Sequence, residues 1–141
     1  MPTQARLYDF DAADPLAQDL KKRGLDCLTL RIRFPPDFPT QPPFVRVLRP
    51  RLRESTGYVL NGGGICMELL TPQGWSPATS LNAIIMSVRS MLHCGSARLK
   101  TTERGAREHD YDEQEGKRDA SMIERIHRAH GWTDSKMFKN S

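Results

Sequence analysis

From Leu28 to Phe34 the chain alternates. Leu28, Leu30, Ile32 and Phe34 are apolar, with Thr29, Arg31 and Arg33 polar between them. A period of two in β-enriched residue types predicts a strand with one buried face. Cys27 falls on the polar parity of that strand and reads as a bystander. Arg6 to Phe10 predicts a shorter strand pairing with it, Asp14-Pro15 marks a turn, and Leu16 to Leu20 is too short to assign. Six of the ten prolines lie between Pro35 and Pro50. Proline lacks a backbone donor and fixes φ, so Phe34 to Pro43 is expected to be a stiff surface path pinned by Phe34 and Phe38. Phe44 to Leu48 then resumes as a strand.

Asn61-Gly62-Gly63-Gly64 predicts a flexible turn, followed by apolar Ile65-Cys66-Met67 and Leu69-Leu70. Ser76 and Pro77 supply an N-cap and a first helical position. Leu81, Ile84, Ile85, Val88 and Leu92 recur at helical spacing, and Gly95 ends that helix. From Arg98 to Ser141 the chain carries ten basic and nine acidic residues. A second helix is expected within Glu108 to His130, with Met122, Ile123 and Ile126 inward. Gly131 is its expected stop, Trp132 folds back onto the core, and the last residues fray. Strands first and helices afterwards predict an α+β domain with an antiparallel meander.

With 141 residues and neither repeat nor linker, residues 1–141 are expected to form a single domain. The net charge of +4 is spread along the chain and argues for neither nucleic acid nor membrane as a partner. No apolar run is long enough to span a bilayer, and no secretory signal opens the chain. Three cysteines, Cys27, Cys66 and Cys94, suit neither a disulfide framework nor a zinc site. A soluble protein of the cytoplasm, the nucleus or both is expected.

Cys66 draws the chemistry. Glycines before it allow close backbone approach. The plain reading is a buried structural thiol, since no His or Lys lies within ten residues and Glu68 would raise its pKa. A cysteine hydrolase would need one of His93, His109, His127 or His130 nearby, and none has a local signature. His127 and His130 at i, i+3 lack a third metal ligand. The glycine run lacks the Lys-Ser/Thr of a phosphate loop. Arg46, Arg49, Arg51 and Arg53 form a basic cluster that reads as a solvated edge, with a docking surface as the alternative. No cofactor and no metal are implied.

The order of three segments adds to this. Ile32-Arg33-Phe34-Pro35-Pro36-Asp37-Phe38-Pro39-Thr40-Gln41-Pro42-Pro43 resembles the "FP-x-x-(Y/F)P-x-x-PP" segment of ubiquitin-conjugating enzymes. Gly64-Ile65-Cys66-Met67-Glu68-Leu69-Leu70 resembles their active-site motif, and Trp75-Ser76-Pro77-Ala78 the start of the helix after it. The clear match spans Leu7 to Leu92, with weaker similarity over the charged helical part, 98–141. Gly57-Tyr58-Val59-Leu60, Pro42 to Val47, Thr71, Gln73-Gly74-Trp75, Ile126-His127 and Gly131-Trp132 are similar to the Q subfamily.

The resemblance implies a UBC-like fold and transthiolation. An activating enzyme, in an ATP-driven step, hands ubiquitin's carboxyl to Cys66 as a thioester. A substrate lysine then displaces it, often with a ligase assisting. An exchange of one thioester for another is almost isoenergetic, so a modest thiol suffices. The resemblance also implies ligase docking at Ser76, Pro77 and Ala78 on one loop and Val47 on the other.

Three departures stand out. Thr56, Gly57 and Tyr58 occupy the place of the family's His-Pro-Asn, whose Asn supports the oxyanion or the adjacent loop. Tyr58 and Asn61 are the substitutes to consider. Cys94-Gly95-Ser96-Ala97-Arg98 lacks the acid that many members carry after the helix. The chain begins in its first strand, so the family's N-terminal helix is expected to be missing from it, which leaves either weak charging or a helix on an upstream segment. A binding module of the same fold, holding ubiquitin or a ligase without catalysis, is therefore the main alternative.

Overall fold

A computed structural model describes residues 3–101 and 110–129, the side chain of His127 excepted. The elements are strand β1 (Thr3–Leu7), helix α1 (Pro15–Lys22), strands β2 (Leu28–Arg33) and β3 (Phe44–Arg49), a 3-10 turn at Glu68–Leu70, and helices α2 (Leu81–Cys94) and α3 (Glu113–Ala129). The strands form one antiparallel sheet in the order β1-β2-β3, with Leu7 opposite Leu28 and Ile32 opposite Val45. The α+β meander is therefore as the pattern predicts. No helix precedes β1 among the described residues, and the unassigned Leu16–Leu20 lies in α1. Asp14 caps it by accepting from Leu16 N–H, Pro15 opens it, and Leu16 and Leu20 are buried one turn apart.

One core joins these elements. Leu28, Leu30, Ile32, Val45 and Val47 meet Leu16 and Leu20 of α1 and Ile84, Val88 and Leu92 of α2. Leu81 begins α2 exposed, off the stripe. The proline path is pinned as expected. Phe34 and Phe38 pack edge to face at 4.6 Å, Phe38 lies 6.2 Å from Trp75, and the indole N–H donates to Pro39 C=O at 2.7 Å. Phe34 itself lies beyond the end of β2 and is exposed.

Several expectations need correction. The helix after Trp75 does not start at Ser76. The Ser76 hydroxyl accepts from Ala78 N–H within a turn, while Ser80 caps α2 by accepting from Ala83 N–H. Two serines offer a cap, and only the packing of Ile84 selects the second.

β2 is also not buried on one face alone. Thr29 is buried, and Arg31 is half-buried where it meets Glu113 of α3 on the outer side of the sheet. The same segment covers most of the basic cluster, which is thus no solvated edge except at exposed Arg53. Arg46, only 3% exposed, donates to Asp112 C=O and to the Glu113 carboxylate, each at 3.1 Å. Arg31 also pairs with Glu113, Arg51 with Glu115, and Arg49 with Asp110 at 3.8 Å.

Within α3, Ile123 is buried, Ile126 half-buried and Met122 exposed, against the expected inner face. Buried Asp119 takes the inward position one turn before Ile123. Gly131, Trp132 and the final residues lie outside the described residues.

Candidate active site

Cys66 sits on the return limb of a hairpin-like loop. Thr56, Gly57, Tyr58 and Val59 make its first bend, with Val59 N–H donating to Thr56 C=O at 3.3 Å. Both central residues have positive φ, 68° at Gly57 and 59° at Tyr58, the pattern of a type I′ turn. For tyrosine that backbone costs roughly 1–2 kcal/mol. It is held because Gly57 N–H donates to Gly95 C=O after α2, and because Thr56 Oγ1 accepts from Arg98 N–H. A second bend, closed by Gly63 N–H on Leu60 C=O, carries Asn61 and the glycines. Val59 and Ile65 then bridge antiparallel, and Cys66 N–H donates to Tyr58 C=O at 3.3 Å. Eight residues apart in sequence, Tyr58 and Cys66 thus face one another across the loop.

Both line a cleft of about 720 Å³ with Met67 and Glu68 from the 3-10 turn, Met91 and Cys94 from α2, and Ile126 from α3. Cys66 is half-buried, and burial pushes its thiol up from the ordinary range. Tyr58 is 54% exposed at the rim. Asn61 is exposed in the second bend and is not among the lining residues. Cys27 precedes β2, away from this lining.

Every backbone N–H from Gly63 to Cys66 is engaged within the chain. Gly64 donates to the Asp119 carboxylate, Gly63 to Leu60 C=O, Ile65 to Val45 C=O and Cys66 to Tyr58 C=O. An oxyanion beside Cys66 therefore finds no donor in the backbone of that run.

The expected docking residues divide. Ser76, Pro77 and Ala78 are exposed in a turn beside Trp75. Val47 is fully buried between the sheet and the core, so its side chain offers no surface to a partner. His93 contacts Asp14 at 3.1 Å, and no histidine is among the described residues lining the cleft. His109, His130 and the side chain of His127 lie outside the described residues, as does the metal pairing considered for the last two. Among the described residues no group of three or more His, Cys, Asp or Glu could hold a metal ion, and no helix is long and apolar enough to cross a membrane.

The sequence reading missed Asp119. Its only signal was an acid one turn before Ile123 in a helix otherwise rich in exposed charge.

Comparison with known proteins agrees with this geometry. A family model described as ubiquitin-conjugating enzyme matches residues 26–123. A Q-like ubiquitin-conjugating enzyme of Homo sapiens is 37% identical over 127 residues, covering 90% of this chain and 77% of that protein. Ubiquitin-conjugating enzyme E2 Q1 of Homo sapiens is 40% identical over 131 residues, covering 90% of this chain and 30% of that protein. A Q-like relative in Drosophila melanogaster is 35% identical, and the chain spans 40% of its length. A cysteine at the mouth of an open cleft, on a loop leading into a 3-10 turn and a helix, is thus matched by relatedness over most of the chain, and the protein belongs to the ubiquitin-conjugating enzyme family.

Proposed function

We propose that this chain accepts ubiquitin's C-terminal carboxyl as a thioester on Cys66 and transfers it to a substrate lysine, with an activating enzyme upstream and a ligase assisting. The observation that carries this reading is the half-buried Cys66 opening into a cleft, with Tyr58 opposite it. In the first step Cys66 Sγ, as thiolate, attacks the thioester carbonyl on the activating enzyme, whose own sulfur leaves. In the second an amine attacks the carbonyl carbon of the Cys66 thioester, the C–S bond breaks, and Cys66 departs as thiolate. A thiol pushed up by burial is a small thiolate fraction at neutral pH but a strong nucleophile, which suits exchange between like thioesters.

The Tyr58 phenol supplies the donor for the oxyanion in the second step, since the N–H groups from Gly63 to Cys66 are all engaged. Exposed Ser76, Pro77 and Ala78 form the ligase-docking turn. The protein works in the cytoplasm, the nucleus or both.

A second reading, a non-catalytic module that holds ubiquitin or a ligase, is favoured by Thr56-Gly57-Tyr58 in place of His-Pro-Asn. A charging assay separates the two. With activating enzyme, ubiquitin and ATP, a reductant-sensitive band one ubiquitin heavier is expected, absent in Cys66→Ala and kept in Cys27→Ala and Cys94→Ala. No such band from folded protein beside a working control enzyme leaves the module reading.

A further inference from the structure

The glycine run before Cys66 is clamped from outside. Asp119 of α3 is only 7% exposed, and its Oδ2 accepts from Gly64 N–H at 2.7 Å. Side chains at these glycines are excluded by the same carboxylate. A Cβ at Gly64 would lie 2.8 Å from the Asp119 Cβ, and one at Gly62 2.7 Å from Oδ2.

Burying a carboxylate is expensive, and burial does push this one up. The fold nevertheless uses its hydrogen bond on a backbone donor, while the hydrogen bonds of the nearby Arg46 go to Asp112 and Glu113. Gly64 is two residues from Cys66, and Ile65 between them is pinned to Val45. Ile126, two turns beyond Asp119 on the same helix face, lines the cleft that holds the thiol. Burial is the one cause of the Cys66 shift, so Asp119 reaches the thiol through the loop and not through its charge.

We infer that Asp119 is a positioning residue for Cys66: it clamps the Gly62–Gly64 bend onto α3 and so fixes where the thiol sits in its cleft. Its catalytic consequence rests on the thioester reading above; its effect on the thiol does not.

The test follows the three cysteines of the full chain separately, by iodoacetamide labelling and mass spectrometry, alongside charging kinetics. Losing the buried acceptor of the Gly64 N–H loosens the loop, so Asp119→Ala is expected to label Cys66 about tenfold faster or more, with Cys27 at its wild-type rate. Turnover of thioester formation falls while the KM for the activating enzyme is kept. Asp119→Asn, whose amide oxygen also has two lone pairs, restores both readouts toward wild type.

The inference is overturned if folded Asp119→Ala labels Cys66 at the wild-type rate, if Cys66 and Cys27 accelerate together, or if Asn behaves like Ala. Should the alanine variant not fold, Gly64→Ala pushes the same clamp apart with the carboxylate present and must give the same Cys66-selective labelling. A wild type that fails to charge, with Cys66-selective labelling in the variants, sinks the thioester reading and leaves the positioning role standing.

Discussion

Tyr58 pairs an unusual backbone with an exposed phenol at the rim of the Cys66 cleft. If the phenol donates to the oxyanion, Tyr58→Phe keeps the fold and charging but slows discharge to lysine by about 100- to 1,000-fold; single-turnover discharge measures this, and a wild-type rate ends the role. Cys66 makes a pH prediction. Its thiol is pushed up in the folded state, so on raising the pH the unfolded chain loses its proton first. The group's contribution is then intact below the ordinary thiol range, about 8.5, and declines as pH rises through the folded value. Labelling of native Cys66 should titrate at higher pH than in urea. The motif around Cys66 was legible because it is local. Asn61 looked as good a candidate as Tyr58, since sequence distance does not say which side of a bend faces the thiol.

At the scale of elements, α1 is tied to the segment after α2. The Asp19 carboxylate accepts from Arg98 Nε at 2.7 Å, from Arg98 Nη2 at 3.0 Å and from Leu99 N–H at 3.1 Å. The Arg98 guanidinium holds the Asp19 carboxyl below the usual carboxylate range. The stability this adds is present above the unfolded value, about 3.9, and is lost as pH falls through it to the folded value. Asp19→Asn should therefore lower the urea midpoint at pH 7, by an amount equivalent to about 1.5–3 kcal/mol, and bring it closer to wild type at pH 3. α1 escaped the sequence reading because eight residues carry too little periodicity, and its cap and its anchor at Arg98 decide it. The start of α2 was misplaced for a related reason, as both candidate serines satisfy the local capping rule.

At the scale of the whole molecule, α3 is the counter-ion of the sheet. Arg31, Arg46, Arg49 and Arg51 on one side meet Asp110, Glu113 and Glu115 on the other. A chain ending at Thr101 leaves Arg46 and the Gly64 donor without these partners. Its melting temperature is expected to fall by roughly 10 °C or more, followed by circular dichroism. High salt screens the repulsion among the uncovered arginines but does not replace the lost buried contacts of Tyr111 and Ile123, so it should recover only part of that loss.

Strands β2 and β3, the proline path pinned by Phe34 and Phe38, the apolar stripe of α2 and the cysteine on its glycine-led loop follow from the sequence by itself, because each is set by neighbours within a few residues, whereas β1 lies at Thr3–Leu7 and not over Arg6 to Phe10. The tertiary structure alone decided that the charged third folds over the sheet, that Val47 is core and Tyr58 cleft, and that Asp119 holds the loop. Complementary charges 61 to 82 residues apart carry no mark of their partners until a helix lies against a sheet, and burial depends on everything that packs around a side chain at once.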